Sequence, residues 1–205
     1  MNNKLSKRTA VLGISRGSIR LCAERKWRTM KIIAISAVTG GGKTTVVNEA
    51  RFLLKRAAAL YFDAYSFDGE VEDYPKWQAE GADVNVWDLS PMKAEIDQLL
   101  QSDKYEYLLL DYPFAYQHKM LRDYLDCCIF IDTPLDIALA RRVIRDMGNF
   151  STREILIEMK TYRNSARPLF LQMQTEHLSS CDYIIDGSKP LEEIVGEVVE
   201  IIQQL

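Results

Sequence analysis

The sequence predicts an α/β fold, a three-layer α/β/α body with a five-stranded parallel sheet over residues 30–205. Three observations predict it. Short, wholly apolar runs alternate with longer amphipathic ones. A run of glycines joins the first apolar run to the first amphipathic one. Each of the four later strand-sized apolar runs ends directly on, or runs into, an aspartate.

Taken in order, Lys31 to Ser36 reads as a strand buried on both faces, since it is apolar throughout. Thr44 to Ala58 reads as the first helix, and Ala59 to Phe62 as a second strand ending at Asp63. Residues 64–90 read as irregular, with scattered aromatics among acids. Pro91 suits a first helical position and opens a helix to about Gln101. Strands follow at Tyr107 to Asp111 and Cys128 to Asp132. A helix from Pro134 to about Met147 is closed by Gly148. A long helix covers roughly Thr152 to His177, then a last strand, Tyr183 to Asp186, and a last helix, Pro190 to Gln203.

With 205 residues, 47% of them hydrophobic, the chain builds one compact core and is not a disordered polymer. No apolar run approaches the roughly 18 residues of a membrane span. Net charge is −3, unevenly spread: residues 1–29 carry eight Lys or Arg and only Glu24, so the remainder is strongly acidic. That body does not favour nucleic acid. The basic arm, residues 1–29, is expected to be a poorly ordered extension preceding a start at Met30. Its other readings are a partial helix-turn-helix around Gly13 with Arg16 and Arg20, or a targeting peptide. Cys22, Cys127, Cys128 and Cys181 have no regular spacing, which points to a reducing, cytoplasmic setting.

Ala37-Val38-Thr39-Gly40-Gly41-Gly42-Lys43-Thr44 matches G-x-x-x-x-G-K-S/T except for Ala37. Its glycines let successive N–H groups converge on phosphate oxygens, and the helix N-terminus adds its dipole. Lys43 supplies a cation to the β- and γ-phosphates, and the Thr44 hydroxyl a ligand for Mg²⁺. An unliganded turn would have little use for three glycines followed by Lys-Thr. The fold is therefore expected to be of the P-loop NTPase type.

Asp63 and Asp111 fall at the carboxyl ends of parallel strands, where such sheets bind ligands. Asp111 has the form of an acid that holds the metal; Asp63 would take a proton from an attacking hydroxyl or join the metal shell. Either could instead serve as a turn former. Asp132 is expected to cap the following helix. His118 and His177 have no ligand-like spacing. Arg141 and Arg142 lie four and three residues before Arg145 on one helix, positioned to neutralise a transferring phosphoryl group or to form a basic surface.

Ile129 to Asp146, including Asp132-Thr133-Pro134 and Arg141-Arg142-Val143-Ile144-Arg145-Asp146, is similar to the "FVDTPxDxxLxRRxxRD" segment of the uridine kinase family of nucleoside kinases. Tyr162, Arg167-Pro168-Leu169-Phe170 and Cys181-Asp182-Tyr183-Ile184-Ile185 resemble that family's "Y…RPxF…ADxII" stretch, and Asp63-Ala64-Tyr65 its "D-x-F/Y". The resemblance covers about residues 31 to 187. The chain departs from the pattern at Ala37 and at Asp111-Tyr112-Pro113, where Glu-Gly-Ile is usual. It also departs between Gln101 and Tyr107, where it is short, and at Met147 to Phe150, which replaces the lid's "RGR".

The resemblance implies an ATP- and Mg²⁺-dependent kinase acting on a hydroxyl of a small molecule, a nucleoside foremost. It implies catalytic roles for Lys43, Asp63, Arg141 and Arg145. Nucleotide contacts would come from Val38, Thr39, Gly40, Gly41, Gly42, Lys43, Thr44, Thr45, Arg142 and Ser188, and metal contacts from Thr44, Asp63 and Asp111. The acceptor is expected among Tyr65, Trp77, Asp83, Trp87, Tyr112 and Arg167. A nucleotide-binding regulator or NTPase-like module without kinase activity is the alternative.

Overall fold

The computed structural model describes residues 29–69 and 71–205; the basic arm up to residue 28 lies outside them, as does Glu70. Strands β1 (Lys31–Ser36), β2 (Ala57–Tyr61), β3 (Tyr107–Asp111), β4 (Cys127–Asp132) and β5 (Tyr183–Asp186) form one sheet in the order β2-β3-β1-β4-β5. Every pairing is parallel.

The continuous apolar character of β1 is explained by its central place. Ile32 and Ala34 face one core together with Leu108, Leu110 and Cys128. Ile33 and Ile35 face the other with Leu109, Cys127 and Ile129. Helices α1 (Lys43–Leu53) and α7 (Leu191–Gln203) close the second core through Val46, Val47 and Ala50 against Ile194, Val195 and Val198. The first core is closed by α3 (Ser90–Leu100), through Met92 and Ile96, and by Tyr112, Phe114, Leu121 and Leu125 from the loop after β3. These are the three layers. No helix of the described residues is long and apolar enough to cross a membrane.

Several element boundaries depart from the sequence reading. The first helix stops at Leu53 instead of Ala58, and β2 begins at Ala57. Between them Arg56 sits at φ 56°, and its guanidinium grips the Lys104 carbonyl at 3.0 Å and the Glu106 carboxylate at 2.9 Å. Pairing of Ala57 and Ala58 with Tyr107 and Leu108 outweighs alanine's helix propensity. The stretch 64–90 contains α2 (Tyr74–Ala79), whose N-cap Asp73 accepts from the Lys76 N–H and whose first turn holds Pro75.

The long helix expected over 152–177 is three pieces: α5 (Thr152–Thr161), a π-helical turn (Tyr162–Ala166) and α6 (Arg167–Ser180). Pro168 has no N–H to give, and the wider turn before it absorbs the mismatch by bonding Arg167 N–H to the Tyr162 carbonyl. Helix α4 (Leu135–Asp146) has Pro134 at its N-cap and no side-chain cap, so Asp132 does not cap it. Asp132 instead accepts from the Gln174 amide at 3.0 Å, tying β4 to α6. Gly148 is not among the left-handed glycines; α4 ends through the Met147 N–H on the Val143 carbonyl.

Candidate functional site

The loop leaving β1 emerges between β3 and β4, where neighbouring connections diverge and α/β sheets open a crevice. Its glycines are sterically required. Gly40 has φ 79°, and a Cβ on it would lie 2.2 Å from the Ala138 carbonyl oxygen of α4. Gly42, at φ 101°, is the N-cap of α1. Gly41 donates to the Val38 carbonyl at 2.8 Å, and its own carbonyl accepts from the Thr133 hydroxyl at 2.8 Å. Ala37 is buried and does not adopt positive φ, so its methyl is accommodated where the motif has glycine. Val38 is buried, while Thr39 and Thr45 are exposed at the loop's mouth.

Beyond the loop, the Thr44 hydroxyl donates to Asp111 Oδ2 at 2.5 Å, and Lys43 Nζ stands 3.9 Å from Asp111 Oδ1. Asp111 is only 4% exposed, and its Oδ1 has no hydrogen-bond partner among the described residues. Burial pushes its carboxyl up; Lys43 and the Thr44 hydrogen bond pull it down, and the Asp63 charge adds to the rise. An under-satisfied buried carboxylate oxygen beside a hydroxyl suits a hard divalent cation. Such a pair would leave the other positions around a divalent cation to water, as Mg²⁺ prefers. No group of three or more His, Cys, Asp or Glu able to hold a metal occurs among the described residues. Asp63 lies in the exposed 3₁₀ turn Phe62–Ala64 directly after β2.

The three arginines separate. Arg141 leans over the loop, its Nη1 3.9 Å from where a Gly42 Cβ would stand. Arg142 pairs with Glu158 at 3.5 Å and Asp146 at 4.0 Å. Arg145 grips Asp146 with two bonds, 2.6 and 2.9 Å, which hold its guanidinium above its ordinary pKa, with a smaller contribution from Asp63.

The residues expected around an acceptor are also divided. Tyr65 donates to Glu95 at 2.6 Å, and burial together with that carboxylate pushes its phenol up. Trp77 donates to the Asp83 carbonyl at 3.0 Å and meets Trp87 edge-on, with ring centres 5.3 Å apart. The Asp83 carboxylate accepts from the Asn85 backbone and side chain, which lowers its pKa. Trp87 and Tyr112 are buried and pack on Phe114. Arg167 lines a different cleft of about 660 Å³ between α4, α6 and the ends of β4 and β5, together with Asp132, Tyr162 and Asp186. Ser188 turns back on Asp186, its hydroxyl donating at 2.6 Å.

One residue of the site escaped the sequence reading. Thr133 is fully buried, holds the Gly41 carbonyl, and packs so tightly on Gly187 that a Cβ there would fall 2.0 Å from its hydroxyl. The available signal is its place in the Asp132-Thr133-Pro134 run, a hydroxyl residue between an apolar strand and a proline.

No family model matches the chain. It is 24% identical over 208 residues to a uridine kinase of Schizosaccharomyces pombe, an alignment covering 88% of this chain and 46% of that protein. A segment of 65 residues is 42% identical to a uridine kinase of Aeromonas hydrophila, covering 32% of this chain and 30% of that one. The chain thus spans less than half the length of these curated relatives. A gluconokinase from Sinorhizobium meliloti 1021 superimposes with a TM-score of 0.51 at 19% identity, over 87% of this chain and 94% of that one, a likeness of fold alone. In sequence the chain is similar to these uridine kinases, and in fold to this gluconokinase.

Proposed function

We propose that residues 30–205 form a kinase that uses ATP and Mg²⁺ to phosphorylate a hydroxyl of a small molecule, a nucleoside being the leading candidate. The observation that carries this reading is the cluster of Lys43, Thr44 and Asp111 at the mouth of a loop whose glycines cannot be replaced without a clash or strained φ. Lys43 neutralises phosphate charge, and the loop's amides hold the phosphate oxygens. Thr44 and Asp111 would hold Mg²⁺, with Asp63 near enough in charge to influence Asp111; the ion's contribution is to offset charge on the phosphates. Asp63, exposed after β2, accepts the proton of the acceptor hydroxyl as it attacks. Arg141 stabilises the charge that develops on the transferred group, and Arg145 joins it by leaving Asp146. We assign Ser188 and Arg142 to the nucleotide, and Tyr65, Trp77 and Asp83 to the acceptor.

The test is ATP consumption measured against a panel of nucleosides, sugars and vitamins, with Lys43→Ala as control. Acceptor-dependent ADP release that vanishes in the control supports the proposal. A specific observation favours a second reading, a nucleotide-binding module without an acceptor: Trp87 and Tyr112 are 5% and 0% exposed and occupied in packing. ATP binding with no acceptor-dependent turnover across the panel would select it.

A further inference from the structure

Away from the phosphate loop, Cys128 and Cys181 bring their sulfurs to 3.1 Å. The backbone holds them there. The β4–β5 register sets Ile129 beside Tyr183. One residue earlier, the Asp182 N–H donates to the Cys128 carbonyl at 3.0 Å. The Asp182 carboxylate accepts from the Cys128 N–H at 2.8 Å and also from the Tyr116 hydroxyl. Cys128 is fully buried in the first core, and Cys181, partly buried, packs against that same core. Cys127 points into the opposite core, as strand alternation demands. The pairing of Cys181 is therefore with Cys128, although Cys127 is its neighbour in sequence register.

We propose that Cys128 and Cys181 form a dithiol site that closes to an intramolecular disulfide by exchange with a low-molecular-weight disulfide. Access assigns the order of events. The neighbouring Cys181 sulfur, with burial, holds the Cys128 thiol well above its ordinary pKa, whereas Cys181 is partly open to solvent. The Cys181 thiolate attacks one sulfur of the reagent, whose S–S bond breaks and whose other half leaves as a thiolate. Cys128 then gives its proton to solvent and attacks the Cys181 sulfur, expelling the second half. The two protein thiols lose two electrons and two protons in all, and the reagent departs as two thiols. Closure staples both ends of residues 128–181, the span carrying α4, α5 and α6. Cys128 lies at the amino end of β4, and the phosphate loop meets its carboxyl end through Thr133. The crosslink therefore raises thermal stability and leaves nucleotide affinity unchanged.

The full chain is incubated with oxidised glutathione, free thiols are alkylated, and peptides are mapped by mass spectrometry, with melting curves before and after. The expected map shows one internal link between Cys128 and Cys181, a higher melting temperature reversed by dithiothreitol, and a lasting glutathione adduct on Cys181 in Cys128→Ser. A lasting adduct on Cys181 in the wild type, a Cys127–Cys181 link, or both thiols unmodified while Cys22 reacts would each overturn the proposal. The wild-type map decides the matter even if the variant does not fold.

Discussion

Replacing Gly40 by alanine tests the loop's steric logic. Two penalties add at this position. The left-handed φ of 79° costs an alanine about 1–2 kcal/mol. The new methyl also stands 2.2 Å from a backbone carbonyl of α4, about 1 Å inside an ordinary carbon–oxygen contact. Relieving it requires loop and helix to part, an overpacking cost of about 1–3 kcal/mol. The total is about 2–5 kcal/mol. Gly42→Ala is the internal control: its φ of 101° is also positive, but only the far end of Arg141, at 3.9 Å, is nearby. It should cost about 1–2 kcal/mol. At about 2–4 °C per kcal/mol for a body of this size, calorimetry should find Gly42→Ala lower by about 2–8 °C and Gly40→Ala lower by about 4–20 °C. Equal shifts, or a harmless Gly40→Ala, would refute the claim that loop and α4 are in backbone contact.

Further outcomes follow from the same geometry. Asp111→Asn should raise the melting temperature of the ligand-free protein at neutral pH, since it removes a buried charge, while abolishing stabilisation by Mg²⁺ with nucleotide in thermal-shift assays. In the wild type the sign is that of a raised acid: the penalty from Asp111 is relieved as pH falls through its folded pKa towards 3.8, so its contribution improves on acidification. His118 behaves oppositely. Its Nδ1 accepts from Met120 N–H at 3.2 Å, its Nε2 faces the Trp87 carbonyl at 3.0 Å, and burial lowers its pKa. The stability from its neutral form is present above 6.5 and lost as pH falls from there through the lower folded value, so urea unfolding across this window should lose that slope in His118→Asn. Thr133→Val strands the buried Gly41 carbonyl and should cost about 1–3 kcal/mol in urea unfolding. Arg141→Ala should lower kcat by about 10²-fold or more in steady-state assays, and Arg145→Ala, whose partner is already Asp146, should leave ground-state nucleotide affinity unchanged.

The parts legible in the sequence were those written in local pattern. The apolar runs of β1, β3 and β4 could be read because strands buried on both faces need no polar residue. The loop could be read because its glycines and Lys43-Thr44 answer a single chemical demand. What escaped depends on distant partners. Arg56 ends the first helix by gripping residues 104 and 106. Asp132 looked like a cap, but its partner is Gln174, far along the chain. Burial of Tyr112 and Trp87 depends on how Phe114 packs, so sequence could name aromatic faces without telling an open one from a filled one.

The proposed function requires the turn after β1 to bind a nucleoside triphosphate with Mg²⁺ through Lys43, Thr44 and Asp111. Isothermal titration of the purified chain with a nonhydrolysable ATP analogue, with and without Mg²⁺, tests it most directly. Saturable one-site binding that strengthens with Mg²⁺ and disappears in Lys43→Ala is expected. Heat unchanged by Mg²⁺, or the same isotherm in the variant, would contradict it.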